Sequence, residues 1–167
     1  HMVLVDNDDP EGSMSGTYEE IGPWETSTAP GHSTLAETLE SGISPFAYGT
    51  TRYAWASPGG TSIARFVPRI PQSGYYSVSV SYAASPNRVT DALFRVVHPG
   101  TTTSIRVNQR SHGSTWVRLG TFYFEEGLNP ERGAVELVSD SDVSDGTLVV
   151  SADAVKFGGG MGVLRRG

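Results

Sequence analysis

Apolar and polar residues alternate along most of the chain after its first third. In SGYYSVSVSYAA, residues 73–84, aromatic residues and valines fill the even positions, and Ser77, Ser79 and Ser81 fill odd ones. A period of two is typical of a β-strand with one buried face. This segment therefore predicts a half-buried strand whose serine face is in contact with water.

Residues that favour turns divide the chain into about nine such strands. HPGT, residues 98–101, lies between two alternating runs and predicts a β-hairpin. Many short strands separated by turns are typical of an all-β sandwich or barrel. The clearest predicted strands are 3–6, 61–70, 73–84, 92–100, 101–110, 115–127, 133–140 and 147–157.

The strand at 61–70 contains a proline, which cannot donate a hydrogen bond to a neighbouring strand. Pro68 therefore predicts that this strand lies at a sheet edge or ends there. Ile63 and Phe66 are predicted to belong to the core.

The strand at 115–127 changes phase at Gly120, where the apolar residues shift by one position. A single extra residue in one strand has this effect, so the sequence predicts a β-bulge. The predicted inward-facing residues are Val117, Leu119, Phe122 and Phe124.

Residues 7–47 are rich in glycine, proline, serine, threonine and acids, and their periodicity is weak. TYEEIGPWET, residues 17–26, predicts one strand. STLAETLES, residues 33–41, predicts one or two helical turns, because Leu35 and Leu39 are four positions apart. A segment of this length inside a domain is usually functional, or it wraps the core.

Composition and charge exclude several classes of protein. The 167 residues suffice for one domain with a sizeable core, and the absence of cysteine excludes disulfides and thiolate metal sites. The net charge is −6, and every basic residue lies at or after Arg52. The part of the chain from Arg52 onward has only a modest excess of basic over acidic residues. A nucleic-acid-binding protein usually has a larger one, so this function is not favoured. No apolar run reaches the roughly 18 residues of a membrane span.

Three stretches carry a resemblance to a known family: AYGTTRYAWAS, the long run from IPQSGYYSV to WVRLGTFYF, and VVSADAVKFGGGMG. In this order they resemble the golvesin C-terminal/xanthan-lyase carbohydrate-binding-like domain, and the opening VLVDNDDP fits its start. The resemblance implies an antiparallel β-sandwich of the jelly-roll or galactose-binding-like type, with one module over 1–157. We expect residues 17–47 to be a long insertion relative to the family and residues 158–167 to be a linker to a neighbouring domain, and we expect residues 1–2, His-Met, to be a cloning scar.

The resemblance also implies a function. Such modules are usually appended to secreted or surface enzymes of bacteria that act on polysaccharides or peptidoglycan. We therefore expect a non-catalytic accessory domain that binds a glycan, in a secreted, periplasmic or cell-surface protein. Two alternatives remain: a structural module that packs on and orders its own catalytic domain without binding sugar, and a module whose residues 23–47 complete a neighbour's active site.

A sugar site needs an aromatic face, which stacks on the apolar face of a pyranose, and planar polar groups for its hydroxyls. Trp116 in HGSTW resembles an aromatic that lines ligand loops in related modules. Alternatively, Trp116 and Tyr53 cap the core, and Arg88 pairs with Asp91 in a structural turn. The predicted ligand-binding residues are Tyr48, Tyr53, Trp55, Asn87, Arg88, Asp91 and Trp116.

The acidic stretch DNDDPEG fails as an EF-hand loop, because Pro10 and Glu11 occupy the positions that require an oxygen ligand and a glycine. Related sugar modules hold a structural calcium ion between the first and last strands, which implies a site made by Asp6, Asp8 and Asp153. Asp153 alternates with apolar residues and is predicted to face inward, so it needs a partner.

The alternative to calcium is local bonding. Asp153 would then accept backbone N–H groups or pair with Arg52, and Asp6 and Asp8 would make Asx turns. No catalytic residues are predicted, because His32, His98 and His112 show no metal-site spacing and no GxSxG motif exists.

Overall fold

The computed structural model describes residues 2–9, 13–33, 45–144 and 146–158. Within these ranges the chain forms β-strands and turns, with no helix and hence no helix that could cross a membrane. The strands are β1 Met2–Asp6, β2 Gly16–Ile21, β3 Glu25–Gly31, β4 Gly49–Trp55, β5 Ile63–Ile70, β6 Gly74–Ser81, β7 Ala92–His98, β8 Thr101–Val107, β9 Val117–Phe124, β10 Gly127–Leu128, β11 Ala134–Val138, β12 Val149–Ala152 and β13 Ala154–Gly158.

The strands form three antiparallel sheets that make a β-sandwich, as predicted. One sheet has the order β1-β13-β6-β9. The second has the order β10-β5-β11-β7-β8, with β2 also paired to β5. A smaller sheet has the order β12-β4-β3. The strands β12 and β13 are separated only by Asp153, so the chain passes from the small sheet to the first sheet at this residue.

The core lies between the alternating apolar faces of the two larger sheets. Tyr76, Val78, Val80 and Tyr82 of the β6 segment are all buried, as their even spacing predicts. Phe124 of β9 and Phe157 of β13 are fully buried, and their ring centroids lie 5.6 Å apart in an edge-to-face arrangement. The hairpin β7–β8 and the bulge at Gly120 are also confirmed.

The strand β5 departs from its prediction at both ends. It is central, since β2 pairs with one edge and β11 and β10 pair with other parts of it. Pro68 lies between the residues paired with β11 and those paired with β10, so the missing N–H falls where β5 changes partner. Ile63 is only half-buried, because it and Phe66 are three positions apart and therefore face opposite sides.

Two further predictions were wrong. The segment 17–26 holds parts of two strands, β2 and β3, because Gly22 and Pro23 interrupt the ladder. The serine face of β6 was predicted to be solvent-exposed, but Ser79 and Ser81 are buried because other parts of the protein cover this face. Most of the helical turns predicted at 33–41, and almost all of the predicted linker at 158–167, lie outside the described residues.

The neighbouring Tyr75 and Tyr76 provide a test of which face of β6 holds the core. Tyr76→Ala should lower the free energy of unfolding by about 3–5 kcal/mol, because the ring is 5% exposed and leaves a cavity. Tyr75→Ala, at a residue 76% exposed, should cost less than about 1.5 kcal/mol, mainly from its contact with Tyr123. Urea denaturation measures both changes, and equal losses would contradict this assignment.

Candidate functional site

A surface cleft of about 430 Å³ lies on the small sheet. Residues 26–29 of β3 form one part of its lining, and Tyr53 and Trp55 of β4 form another. The loop 84–88 lies across from them, with Val149 of β12 between. This volume falls in the range of about 300–1,000 Å³ that is typical of small-ligand sites.

Hydroxyl groups line the β3 side of the cleft because the β3–β4 pairing is irregular. The register shifts between Thr26 and Pro30, so three β3 residues lie opposite Thr51 alone. The shift is held by the Thr51 hydroxyl, which donates to the Ala29 carbonyl at 3.0 Å. The strand β3 is an edge strand, and its Thr26, Ser27 and Thr28 line the cleft. Thr26 Oγ1 already accepts from Arg52 at 2.6 Å and Ser27 Oγ from the Ala29 N–H at 3.1 Å, which leaves their own O–H donors for a ligand.

Two aromatic rings stand side by side on β4. Tyr53 and Trp55 are two positions apart and share one face of the strand, with ring centroids 6.0 Å apart and planes at 86°. Trp55 is 53% exposed, while Tyr53 is half-buried and donates its hydroxyl to Glu25 at 3.2 Å. The exposed indole offers a flat apolar surface at the cleft.

On the opposite side, Arg88 places a nearly buried cation against the cleft. Arg88 is only 6% exposed. Its Nε–H donates to the Ala83 carbonyl at 2.9 Å, and Nη1 donates to the side-chain oxygen of Asn87. Burial lowers the pKa of Arg88, and the neighbouring Tyr53 opposes this effect. Arg88 and Asn87 therefore form a fixed polar group beside the two rings.

Backbone bonds hold the 84–88 loop against β12. Val149 donates to the Asn87 carbonyl at 3.0 Å, and Val89 donates to the Val149 carbonyl at 3.1 Å. The fully buried Gln109 extends this edge, because its side-chain amide bonds both the N–H and the carbonyl of Ser151. Backbone hydrogen bonds therefore hold β12 to β4 on one side and to the 84–88 loop on the other, which fixes both walls of the cleft.

A strained turn supports the same loop. His112 and Ser114 have left-handed backbone conformations with φ of 60° and 55°, which non-glycine residues adopt at a cost. Between them Gly113 comes so close to Ala84 that a Cβ atom would lie 2.5 Å from its nitrogen. Because Ala84 lines the cleft, this close approach fixes the position of the turn relative to the cleft.

Four of the seven predicted ligand residues, Tyr53, Trp55, Asn87 and Arg88, therefore line one cleft. Trp116 does not. Its ring lies 5.3 Å from that of His32 and 5.6 Å from that of Phe46, and Lys156 Nζ lies 5.0 Å from its centroid.

The remaining two predicted residues are also outside the cleft. Tyr48 is 61% exposed just before β4. Asp91 accepts from the Ser141 hydroxyl at 2.6 Å and from the Asp142 N–H at 2.9 Å. The alternative pairing of Arg88 with Asp91 is therefore wrong, because a different loop occupies both carboxylate oxygens.

A second cluster of polar residues is buried where the sheets meet. Asp153, 1% exposed, accepts the backbone N–H of His32 at 3.0 Å to each carboxylate oxygen, and the Ser81 hydroxyl at 2.8 Å. The His32 ring is fully buried, with Nδ1 2.7 Å from Asp6 Oδ2. The predicted inward orientation of Asp153 is confirmed, and its partner is a backbone N–H.

Close backbone approach makes the cluster possible. A Cβ at Gly31 would lie 2.6 Å from an Asp153 oxygen, and one at Gly49 would lie 1.9 Å from the His32 carbonyl oxygen. Only glycine fits at such distances. These two glycines allow residues 31–33 to enter the space between Asp6 and Asp153.

The other acids of the first turn are satisfied separately. Asp6 Oδ1 accepts the Asp8 N–H at 3.0 Å, which is the Asx turn considered for Asp6. Asp8 itself accepts the N–H of Thr50 at 2.6 Å and also its hydroxyl. Arg52 pairs with Glu20 at 2.7 Å and not with Asp153.

Burial changes how readily these acids ionise. It raises the pKa of Asp153 to about 7, and the nearby Asp6 carboxylate adds to the rise. Burial also raises the pKa of Asp6, although its hydrogen bond with His32 acts in the opposite direction. The pair therefore gains protons at higher pH than ordinary carboxyl groups do.

The cluster does not fit a calcium ion. Backbone N–H groups of His32 and Asp8 direct their positive ends at the Asp153 and Asp6 oxygens that would bind the cation, and both Asp8 oxygens accept hydrogen bonds from Thr50. Within the described ranges, no three His, Cys, Asp or Glu side chains are arranged to hold a metal ion. The acids are bonded by protein donors.

We expect EDTA or added calcium to leave the melting temperature unchanged, because protein donors already satisfy Asp6 and Asp153. Differential scanning calorimetry in chelator-treated buffer measures this. A fall in melting temperature with EDTA that calcium, but not magnesium, restores would contradict the expectation.

Asp153→Asn should change how stability depends on pH. The pKa of Asp153 is 3.8 unfolded and about 7 folded, so between these values the folded state holds more protons. Its contribution is complete below the lower value and is lost as the pH rises through the upper one. The stability of the wild type relative to Asp153→Asn should fall by on the order of 1 kcal/mol per pH unit over this range, measured by urea denaturation.

Asp140→Asn provides the opposite control. The Gly59 N–H and Arg106 lower the pKa of Asp140, so its contribution is lost as the pH falls. The Asp140→Asn profile should therefore differ from the wild type mainly on the acid side. Parallel profiles for the wild type and Asp153→Asn would contradict the raised pKa of Asp153.

Sequence reasoning missed the β3 side of the cleft and His32. The run TSTA at 26–29 carries small hydroxyl residues, but it lies in a segment whose periodicity is weak. His32 stands in PGHS without a spacing that would mark it. Both depend on register and close approach, which a linear pattern does not show.

Comparison with known proteins identifies the domain. The family model of the Golvesin C-terminal domain matches residues 3–159. The xanthan lyase of Bacillus sp. (strain GL1) is 38% identical over 98 residues, which are 59% of this chain and 10% of the lyase. The structure of Paenibacillus xanthan lyase has a TM-score of 0.69 and 31% identity, covering 93% of this chain and 13% of the lyase. The resemblance noted in the sequence is thus confirmed, and the chain belongs to the Golvesin C-terminal domain family.

Proposed function

We propose that this domain binds a glycan in the cleft on the small sheet. The observation that carries the proposal is the joint placement of an exposed ring, Trp55, and a fixed polar pair, Asn87 and Arg88, on opposite sides of one cleft. A pyranose has the matching chemistry, with an apolar C–H face and hydroxyl groups around its edge. The hydroxyls of β3 add donors and acceptors along the cleft.

The cleft supports binding and not catalysis. The described residues that line it include no Asp, Glu, His or Cys. Tyr53 is the lining residue that could transfer a proton, but its hydroxyl is bonded to Glu25, and burial and this bond raise its pKa, which does not favour a base or a nucleophile. The rings and hydroxyls act by stacking and hydrogen bonding, which hold a sugar without changing its bonds. This composition favours a non-catalytic role for the domain.

The much greater length of the related lyase chains indicates what such binding could serve. The matched regions are 10% and 13% of the two lyases, so a domain like this one accompanies much larger chains. We infer an accessory module that holds a polysaccharide near a neighbouring catalytic domain. Because the polysaccharide substrate of such an enzyme would lie outside the cell, we also infer a secreted or surface protein.

A second candidate function is a structural module that packs on its neighbour. It is favoured by an apolar groove of about 400 Å³ near the start of β1. Met2, Leu4, Met14 and Pro71 line this groove, and Met14 is 85% exposed. Exposed apolar surface of this kind is typical of protein contacts. This function requires no ligand in the cleft.

Two tryptophans allow a matched test of the glycan proposal. Trp55→Ala should weaken retention on an affinity gel at least about tenfold, because aromatic residues at binding sites contribute more than an ordinary contact. Trp116→Ala, the same change outside the cleft, should leave retention unchanged. The gels should contain plant, microbial and peptidoglycan glycans, with melting temperatures measured for both variants.

The two candidate functions give different results. Loss of retention by Trp116→Ala but not by Trp55→Ala would place the site elsewhere and contradict the cleft. Absence of wild-type retention on every glycan would favour the structural function. In that case, charged substitutions at Met14 should disturb packing against a neighbouring domain.

A further inference from the structure

The Arg88 guanidinium is buried without an acid to balance it. Among the described residues, Arg52, Arg65 and Arg95 each pair with a glutamate and remain partly exposed. Arg88 is the one buried arginine in those ranges, and none of their carboxylates forms an ion pair with it. Burying an unpaired cation is costly, so its place on a ligand cleft calls for an explanation.

The bonds that Arg88 does make leave most of its donors unused. A guanidinium has five N–H donors. Nε donates to Ala83 and Nη1 to Asn87, and no described residue accepts from Nη2. These two bonds fix the orientation of the group while its outer donors remain available. That is the arrangement expected of a preformed anion site.

We propose that the glycan is acidic and that Arg88 binds its carboxylate, an inference that rests on the proposed function of the cleft. Arg88 and Trp55 lie on opposite sides of Val149, each in register with it. Neighbouring strands are about 4.8 Å apart, so the two backbones are roughly 10 Å apart. A sugar ring stacked on Trp55 thus directs its substituents towards Arg88. A planar carboxylate on that ring matches the planar guanidinium.

The charge around the cleft permits this ligand. The chain has a net charge of −6, but the described lining of the cleft contains no carboxylate. Among the described residues, Glu25 is the acid whose side chain bonds a lining residue: it accepts the Tyr53 hydroxyl at 3.2 Å, on the β4 side of the cleft and across from Arg88.

The test compares saccharides that differ only in their carboxylates. Oligogalacturonates and oligoglucuronates, and the same oligomers with each carboxyl reduced to an alcohol, are titrated into the wild-type domain by calorimetry. We expect an acidic oligomer to bind at least about tenfold more tightly than its reduced form, as a charge-assisted hydrogen bond predicts. Arg88→Gln should remove this preference, so that the acidic oligomer and its reduced form bind the variant with equal affinity, whatever the change in overall affinity.

Two controls assign the effect to Arg88. Arg110→Gln changes an exposed arginine whose Nε donates to the Arg88 carbonyl at 2.8 Å, and it should keep the preference. If Arg88→Gln does not fold, the arginine side-chain NMR signals of the wild type decide. The Arg88 Nε–H signal should shift with the acidic oligomer and not with the reduced one.

The outcomes separate this inference from the function on which it rests. Equal binding of acidic and reduced oligomers would overturn the acidic ligand while leaving glycan binding intact. A preference that survives Arg88→Gln, or no shift of the Arg88 signal, would overturn the role of Arg88. Failure of the wild type to bind any oligomer in this set, when other glycans are retained, would overturn the acidic ligand alone. Failure with every glycan would overturn both.

Discussion

The whole domain depends on one buried hydrogen-bonded junction, in which Asp153 receives the backbone N–H of His32 and the His32 ring contacts Asp6. A carboxyl group removed from water must be bonded or neutralised, so the segments that carry its partners must meet. The junction lies between β12 and β13, where the chain changes sheets. It also joins the ends of β1, β3 and β6, since Ser81 donates to the same carboxyl. One side chain thus fixes how the sheets are placed relative to one another.

The cleft inherits its shape from that junction. The strand β12 ends at Asp153. Backbone hydrogen bonds pair one edge of β12 with β4 and the other edge with the loop 84–88. The rings of β4 and the cation of Arg88 therefore face each other across a fixed distance, before any ligand arrives. A ligand that meets such a preformed site loses little binding free energy in ordering it. The strained turn at His112 and Ser114 represents part of the energetic cost of this preorganisation.

Much of the sandwich could be predicted from alternation alone. The burial of Tyr76, Val78, Val80 and Tyr82 and the bulge at Gly120 follow from spacing along one strand. Spacing fails where a second partner matters. Pro68 was predicted at an edge because the pattern does not show that β5 changes partner there. Ser81 was predicted to be in water because the pattern does not show what covers it.

The same limit applies to the candidate site. Residue types suited to sugars predicted Tyr53, Trp55, Asn87 and Arg88, which the fold brings together. Type alone also selected Trp116, whose ring packs on His32 and Phe46 instead. Which of several suitable aromatics meet is decided by strand register. Register depends on pairings between residues far apart in the chain, and a single sequence contains no direct record of them.

The pairing of β1 with β13 has a mechanical consequence. Met2 lies opposite Gly158, and the register continues to Asp6 opposite Ala154. The two ends of the described domain therefore lie side by side on one sheet. A force that pulls these two ends apart would load β1 and β13 from the same end of their ladder, so their backbone hydrogen bonds would break one after another and not all at once. The last pair of this ladder is Asp6 opposite Ala154. There the buried hydrogen bonds of His32 with Asp6 and Asp153 would resist further separation of the two strands.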